Sequence, residues 1–540
     1  MDPKSEIKEL LESGDTLQAR RLIEKYEPFM LADSEFYSIK SVLAVIEQDF
    51  EEAYRILEKG LKVNSEDPDL LYNFAFVLRE RGSYEESLNY YEKALIHSKT
   101  EDLREVIHND ILLMHDYLVS GKNNMTENPL VSIVVLAYNK LEYTKLCIDS
   151  IYRFTANIDY ELIVVNNGST DETQEFFESL PKARIVHLED NVGPVNGFNE
   201  GIKVAKGRYT ACISNDFILT PRWLDNLLIC IDSDPSIGFV SPGASNVSNF
   251  QGIKGDYNTI QEMLEFAERY NQSEPKKWEE RVRLLPCVLM ARTALLQEIG
   301  GFDPRFYFGE FADDDISFRI RRKGYKLIYC KDTFTYHFGS ITTLDAQINN
   351  KSLEISREIF REKYGLDAWL DATFNPIFVK ALCSDHKGNS GKILGVNANC
   401  GSNPLQLKNY LQEIDVPNLM ITNFCIDEKY KEDLETVSDH VIFGELSNIP
   451  NYFSEDVFDY IIYEHEGNYF QTNPRILEEL KCLLEQNGRL GLRLRVSEID
   501  ERRREFFKDY LKAHNFTILF DQFNSIVEET HLVIVARKDV

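Results

Sequence analysis

Three consecutive carboxylates, Asp313, Asp314 and Asp315, lie between an aromatic run and a segment with helical periodicity, ISFRIRRKGY. A lone histidine, His337, closes the strand-like run YKLIYCKDTFTYH that follows. Acids on a loop before a helix commonly act as caps and dipole partners, because carboxylates sit well beside free backbone N–H groups. In a cleft, the same cluster would be suited to proton transfer. Farther upstream, Asn167-Gly168-Ser169-Thr170-Asp171 opens a helix, where unpaired backbone N–H groups would meet a nucleotide or phosphate. On these residues alone both readings of the acids stay open.

Strands and helices must bring such residues together. Val131–Ala137 is a β-branched run suited to a strand buried on both faces, and a helical segment (143–152) follows. Strand-like pieces recur at Glu161–Val165, Ala183–His187 and Tyr209–Ile213, the last ending at Ser214-Asn215-Asp216. Strands alternating with helices, with glycine-bearing polar loops after the strands, predict an open, mainly parallel α/β sheet. Such sheets bind ligands at the strands' C-terminal ends.

In this order, VSIVVLAYNK, ELIVVNNGSTDET, NVGPVNGFNEGIKVAKG and ISNDFILTPRWL resemble the successive nucleotide-binding motifs of family 2 glycosyltransferases with the GT-A fold. GGFDPRF, ADDDISFRIRRKGYK and YHFGSIT resemble that family's acceptor-side half, and the likeness runs from about Pro129 to Leu370. It implies transfer of a hexosyl or N-acetylhexosaminyl group from a nucleotide-diphosphate sugar. Ala137, Tyr138 and Asn139 would border the base and ribose, with Asn166, Asn167 and Gly168 at the second strand's end. Asn166 stands where many members place an aspartate against the base. Gly193, Gly197 and Asn199 would line the pocket from the third loop. Asp216 matches the last acid of the family's D-x-D metal motif, Asn215 sits before it, and Ser214 replaces the first acid. His337 matches a histidine that joins the metal shell in many relatives.

The chemistry calls for these residue types. A departing diphosphate develops charge that a divalent cation stabilises, and Mn²⁺ or Mg²⁺ would be held by one carboxylate, one histidine, phosphate oxygens and water. The acceptor hydroxyl must lose its proton as it attacks the anomeric carbon. In the family's E-D-x-D pattern the first aspartate is that base, and it aligns with Asp313, while Ala312 takes the place of the preceding acid. Asp315 would cap the next helix or contact Arg319. One base without a second nucleophile implies single displacement with inversion. Between the halves, Ser241–Pro286 is too long for an ordinary loop and is expected to be a lid or acceptor-binding excursion, with Trp278 either stacking on a sugar or packing in the core.

Two further regions flank this one. Gly14-Asp15, Gln48-Asp49 and Gly82-Ser83 recur at 34-residue intervals, as do Ala19, Ala53 and Ser87. Segments such as EEAYRILEKGLKVNSEDPDLL resemble tetratricopeptide repeats, about three of them with a capping helix over 103–119, and imply a surface for a protein or a dimerisation arm. Near the C-terminus, FDYIIYEHEG and PRILEELKCLLEQNGRLGLRLR resemble Rossmann-like methyltransferases that use S-adenosylmethionine. That family's E-x-G-x-G-x-G loop aligns with Gly395-Val396-Asn397-Ala398-Asn399-Cys400-Gly401, and the ribose-gripping acid falls near Cys425. The loss of glycines predicts a degenerate domain without that cofactor.

The expected organisation is therefore multidomain: helical repeats (1–120), a linker (121–128), an α/β GT-A domain (129–375), a second linker (376–390) and an α/β methyltransferase-type domain (391–540). Sixty basic against 89 acidic residues give a formal charge of −29, which argues against general affinity for nucleic acid or an anionic membrane. No signal-peptide pattern and no bilayer-length apolar run are present, and nine cysteines form no C-x-x-C pair, so the expected location is the cytoplasm. The expected acceptor is a protein, such as a surface or flagellar protein. A saccharide acceptor, a homo-oligomer, and a non-catalytic scaffold remain alternatives.

Overall fold

The computed structural model describes residues 2–100, 103–111, 114, 129–339, 351–384, 390–466, 475–497, 499–526 and 528–539. The expected first linker, most of the end of the capping helix and the tail of the YHFGSIT motif lie outside the described residues. The chain forms two compact units, one of residues 1–127 with 151–159 and 179–182, the other of the remainder. Among the described residues no helix is long and apolar enough to cross a membrane.

The first unit is built from helical hairpins: α1 (Pro3–Glu12) with α2 (Thr16–Tyr26), α3 (Ser34–Ile46) with α4 (Phe50–Val63), and α5 (Pro68–Glu80) with α6 (Tyr84–His97). Each hairpin turns through a left-handed residue at the recurring position, Gly14, Gln48 or Gly82. Asp15 and Asp49 then cap the next helix by accepting from Gln18 and Glu52 backbone N–H groups. Ala19, Ala53 and Ser87 are fully buried, as a close helix crossing requires.

In the second unit, a nine-stranded sheet comes first. Its parallel half is β1 (Val131–Ala137), β2 (Tyr160–Asn167), β3 (Arg184–Leu188) and β4 (Tyr209–Ser214), joined by α7 (Leu141–Thr155), α8 (Thr173–Ser179) and α9 (Gly193–Val204). The other half adds β5 (Phe217–Ile218), β6 (Ile237–Ala244), β7 (Trp278–Glu280), β8 (Leu289–Arg292) and β9 (Lys326–His337), with α10 (Trp223–Ser233), α11 (Ile260–Tyr270), α12 (Thr293–Glu298) and α13 (Ala312–Arg322) between them. The order is β3-β2-β1-β4-β8-β6-β9-β5, with β7 on β9. The expected excursion at 241–286 is thus partly framework: it contributes the end of β6, helix α11, and strand β7 paired antiparallel to β9. Trp278 is part of that framework, its indole N–H donating to Asp332 at 2.7 Å.

Helices α14 (Ser352–Tyr364), α15 (Ala368–Asp371) and α16 (Pro376–Cys383) lead to a seven-stranded sheet. The segment expected as a linker (376–390) therefore opens with a helix whose Phe378, Val379 and Leu382 are buried. Strands β10 (Gly391–Val396), β11 (Leu419–Cys425), β12 (His440–Phe443), β13 (Phe458–Glu466), β14 (Leu484–Val496), β15 (Phe516–Ile526) and β16 (Glu529–Lys538) run in the order β12-β11-β10-β13-β14-β16-β15, with β16 antiparallel to both neighbours. Helix α17 (Ser402–Glu413) follows β10. Asn397 and Asn399, at two glycine positions of the loop, have φ of 53° and 48°. Asparagine tolerates that left-handed backbone better than most residues with a side chain. Asn397 Oδ1 accepts from Ile426 N at 3.1 Å.

Both sheets share one core. Val134, Leu136 and Phe311 belong to the same apolar cluster as Phe378, Leu405 and Tyr460. At its edge, Asp433 is fully buried between two arginines of α13: Arg321 Nη2 donates to it at 2.8 Å and Arg322 Nη2 at 2.7 Å. Removing this carboxylate would strand two guanidinium groups, one of them fully buried, at a cost of about 3–5 kcal/mol. We expect Asp433→Ala to lower the unfolding free energy by that amount in urea titrations, and Asp433→Asn by less. An unchanged midpoint would show that this contact does not hold the two sheets together.

Candidate active site

The pairing of β5 with the end of β9 sets Phe217 opposite His337. That register brings His337 Nε2 to 3.2 Å from Asp216 Oδ2, across 121 residues of sequence. The Phe217 ring stacks on the imidazole with centroids 4.4 Å apart. Ser245 Oγ and Asn246 Nδ2 each donate to the His337 carbonyl at 3.0 Å. The second oxygen of Asp216, Oδ1, is buried without a partner among the described residues. An orphaned carboxylate oxygen is costly to bury, and a hard divalent cation would satisfy it. Among the described residues no third histidine, cysteine, aspartate or glutamate completes a cluster with these two. The donor set fits a cation whose other ligands are phosphate oxygens and water.

The asparagines expected around the nucleotide hold the loops in shape. Asn139 Oδ1 accepts from Thr170 N at 2.7 Å, and its own N–H donates to Ser169 Oγ at 2.9 Å. Asn166 is fully buried; Oδ1 accepts from Ser169 N at 3.0 Å, and Nδ2 lies 3.1 Å from His187 Nδ1. Asn167 Oδ1 accepts from Val192 N at 3.0 Å, and its Nδ2 donates to Asn191 Oδ1 at 3.1 Å. Asn215 Nδ2 donates to Asn139 O at 3.1 Å and to Thr144 Oγ1 at 2.8 Å. Asn199, expected to line the pocket, gives both ends of its amide to Phe302: Nδ2 to the carbonyl and Oδ1 from the N–H, each at 2.8 Å. Gly197 likewise serves packing, since a Cβ there would stand 2.5 Å from Leu136 Cδ1. Gly193 lies under Tyr307, whose carbonyl oxygen is 2.5 Å from where a Cβ would sit. Ala137 is buried at the end of β1, and Tyr138 beside it is 36% exposed.

The three acids lie inside α13, in its first turn, and not on a loop before it. Phe311 precedes them with φ of 60°, its ring stacked on Trp369 at 4.9 Å. Asp314 accepts from Arg283 Nη1 at 2.7 Å and Trp369 Nε1 at 3.2 Å. Asp315 accepts from Arg319 Nε and Tyr364 Oη, each at 2.7 Å, and also pairs with Lys363. The expected Asp315–Arg319 contact is present. Asp313 makes no salt bridge among the described residues and is partly exposed. Loss of water around it, then the charge of Asp314, push its carboxyl up to about 7 against the opposing pull of Arg283.

Sequence reasoning did not single out Arg283, Trp369, Lys363 or Glu310. The first three deliver charge or N–H groups to the acids from 31, 55 and 48 residues away, distances at which no local spacing rule operates. Glu310 Oε1 accepts from Ser352 Oγ at 2.6 Å, and Oε2 is buried without a partner among the described residues. Its nearness to Ala312 in GEFADDD was the available signal.

Residues 132–295 match the family described as Glycosyl transferase family 2. Glycosyltransferase GlyG of Streptococcus pneumoniae is 25% identical over 269 residues, covering 48% of this chain and 88% of that protein. An uncharacterized glycosyltransferase of Haemophilus influenzae is 33% identical over 117 residues, 21% of this chain and 36% of its own length. The chain thus spans most of the first relative and about a third of the second. A poly-beta-1,6-N-acetyl-D-glucosamine synthase of Staphylococcus epidermidis is 28% identical over 150 residues, 27% of this chain and 35% of that protein. Among solved structures, the mannosyltransferase PcManGT from Pyrobaculum calidifontis in complex with GDP-Man and Mn²⁺ aligns with a TM-score of 0.32 at 19% identity. The alignment covers 51% of this chain and 76% of that one.

Gly168 tests the loop geometry. Its φ is +70°, and a Cβ would stand 2.4 Å from the Asp190 carbonyl carbon. Gly168→Ala is expected to displace the 166–171 loop and cost more than about 1 kcal/mol in thermal unfolding. Wild-type stability and unchanged nucleotide binding by calorimetry would contradict this placement.

Proposed function

We propose that this protein transfers a sugar from a nucleotide-diphosphate sugar to an acceptor hydroxyl with inversion at the anomeric carbon. The observation that carries this reading is the meeting of Asp216 and His337 within the sheet whose residues 132–295 match family 2. Tyr138, Asn139, the loop beginning at Gly168 and the loop leading into α9 at Gly193 border the nucleotide, with the asparagines keeping those loops in shape. Asp216 and His337 hold Mn²⁺ or Mg²⁺, which when bound stabilises the charge of the departing diphosphate. Asp313 is the general base: it takes the proton of the acceptor hydroxyl as that oxygen bonds to the anomeric carbon and the nucleoside diphosphate leaves with the electron pair of the broken C–O bond. Its raised affinity for a proton suits a base working near neutral pH.

A protein acceptor is supported by the recurring helical hairpins, whose architecture suits the capture of polypeptide. A saccharide acceptor is the second reading, favoured by the polysaccharide synthase among the relatives. The C-terminal sheet is read as methyltransferase-like and as working without S-adenosylmethionine, because the side chains of Asn397 and Asn399 stand where glycines would admit a cofactor. It serves as a support for the transferase domain.

Hydrolysis of a panel of nucleotide sugars, with Mn²⁺ or with chelator, tests the reading. We expect one donor to be turned over only with metal, and Asp216→Ala to lose at least 100-fold in rate. The rate should fall as pH drops through about 7, because protonated Asp313 cannot accept the hydroxyl's proton. Absence of both hydrolysis and nucleotide binding across the panel would overturn the assignment in favour of a scaffold.

A further inference from the structure

Asn166, expected beside the base, is fully buried at the C-terminal end of β2, and both ends of its amide are bonded within the fold. Its register partner on β3, His187, is exposed. A third group fixes the polarity of the contact between them. The backbone N–H of Ser169 can only donate, and it donates to Asn166 Oδ1 at 3.0 Å. The amide must therefore turn its Nδ2 toward the imidazole, because the flipped amide would set N–H against N–H at Ser169. Nδ2 lies 3.1 Å from His187 Nδ1, so Nδ1 accepts. An imidazole that accepts at Nδ1 carries its proton on Nε2. That Nε2–H bonds no other described residue.

The fold thus presents a donor of fixed sense where open α/β sheets take their ligands. It is tied to the neighbouring loop ends, since Ser169 Oγ accepts from Asn139 N at 2.9 Å. Strand order then says which part of a nucleotide would meet it. The strands lie in the order β3-β2-β1-β4, and Asp216 follows β4. Three strand spacings, about 14 Å, separate the two ends, a span that an extended nucleoside diphosphate can cover. With the diphosphate at Asp216 and the ribose over Asn139, the edge of the base farthest from the ribose comes to β3. That edge carries an oxygen in uracil and guanine and an amino group in cytosine and adenine. An N–H donor pairs with the oxygen and opposes the amino group.

We propose that His187 reads the base of the donor through its Nε2–H and selects a nucleotide whose base carries an oxygen at that edge. Asn166 is the positioning residue that holds the imidazole in the donating tautomer. This deepens the transferase reading and rests on it for the presence of a nucleotide. Full-length wild type and His187→Phe, which keeps a ring and loses its N–H, are titrated by calorimetry with UDP, CDP, GDP and ADP in the presence of Mn²⁺. The expected result is that UDP outbinds CDP, or GDP outbinds ADP, by about tenfold, the scale of one hydrogen bond. His187→Phe should remove most of that preference while changing the affinity of the amino-bearing nucleotide less than about twofold. Nitrogen-15 NMR of histidine-labelled wild type should show the Nε2–H tautomer at His187. The Nδ1–H tautomer would overturn the proposal without any ligand. Equal loss of all four nucleotides in His187→Phe would also overturn it, since a merely structural role predicts that. Nucleotide binding indifferent to the base would sink this inference and leave the transferase reading standing. No binding of any of the four would sink both.

Discussion

Three carboxylates in one largely buried helical turn repel one another, and the energy of that repulsion grows as water is removed. The first turn of α13 tolerates them because cations and N–H groups arrive from three other segments. Arg283 pairs with Asp314 and Trp369 donates to it, while Arg319 and Lys363 pair with Asp315 and Tyr364 donates to it. At Asp313, loss of water and then its neighbour's charge raise the hold on a proton, against the pull of Arg283 and of the helix N–H groups. The other structural features near the site follow from that requirement. Arg283 must be brought in by the inserted segment, Trp369 by α15, and Lys363 by α14.

Helix α13 is held at its far end too. Arg321 and Arg322, in its last turn, converge on the buried Asp433 of the short helical turn (Lys431–Leu434) between β11 and β12. The helix thus spans from the candidate base to the domain seam, and its orientation depends on both ends. This gives the C-terminal sheet a physical role that needs no cofactor of its own. Asn409 and Gln406 of α17 extend the same seam by bonding the Glu280 backbone and the Glu279 carboxylate of β7.

Much of this was legible in the sequence where the information is local. The strands of the parallel half and the hairpin repeat at 34 residues follow from periodicity and turn residues, and each is found within a few positions, whereas the helix expected over ISFRIRRKGY begins earlier, at Ala312, and takes in the three acids. The approach of His337 to Asp216 came from motif order. What could not be read was the use of side chains after the loops closed. Asn166, Asn167, Asn199 and Asn215 look like ligand-facing amides in sequence, yet each meets backbone or side-chain partners brought close only by the fold. The helix at Pro376–Cys383 was missed because a polar stretch follows it, and because its apolar face is explained only by the sheet it covers. The continuous core linking the two sheets was missed for the same reason.

The central claim is a single displacement in which Asp313 deprotonates the attacking oxygen. The anomeric configuration of the first-formed product tests it most directly. With an α-linked nucleotide sugar and the accepted acceptor, or water read before mutarotation, proton NMR should show the β-anomer forming first. A first-formed α-anomer would require a second displacement or a front-face path, and would contradict the assignment of Asp313 as the sole reacting carboxylate.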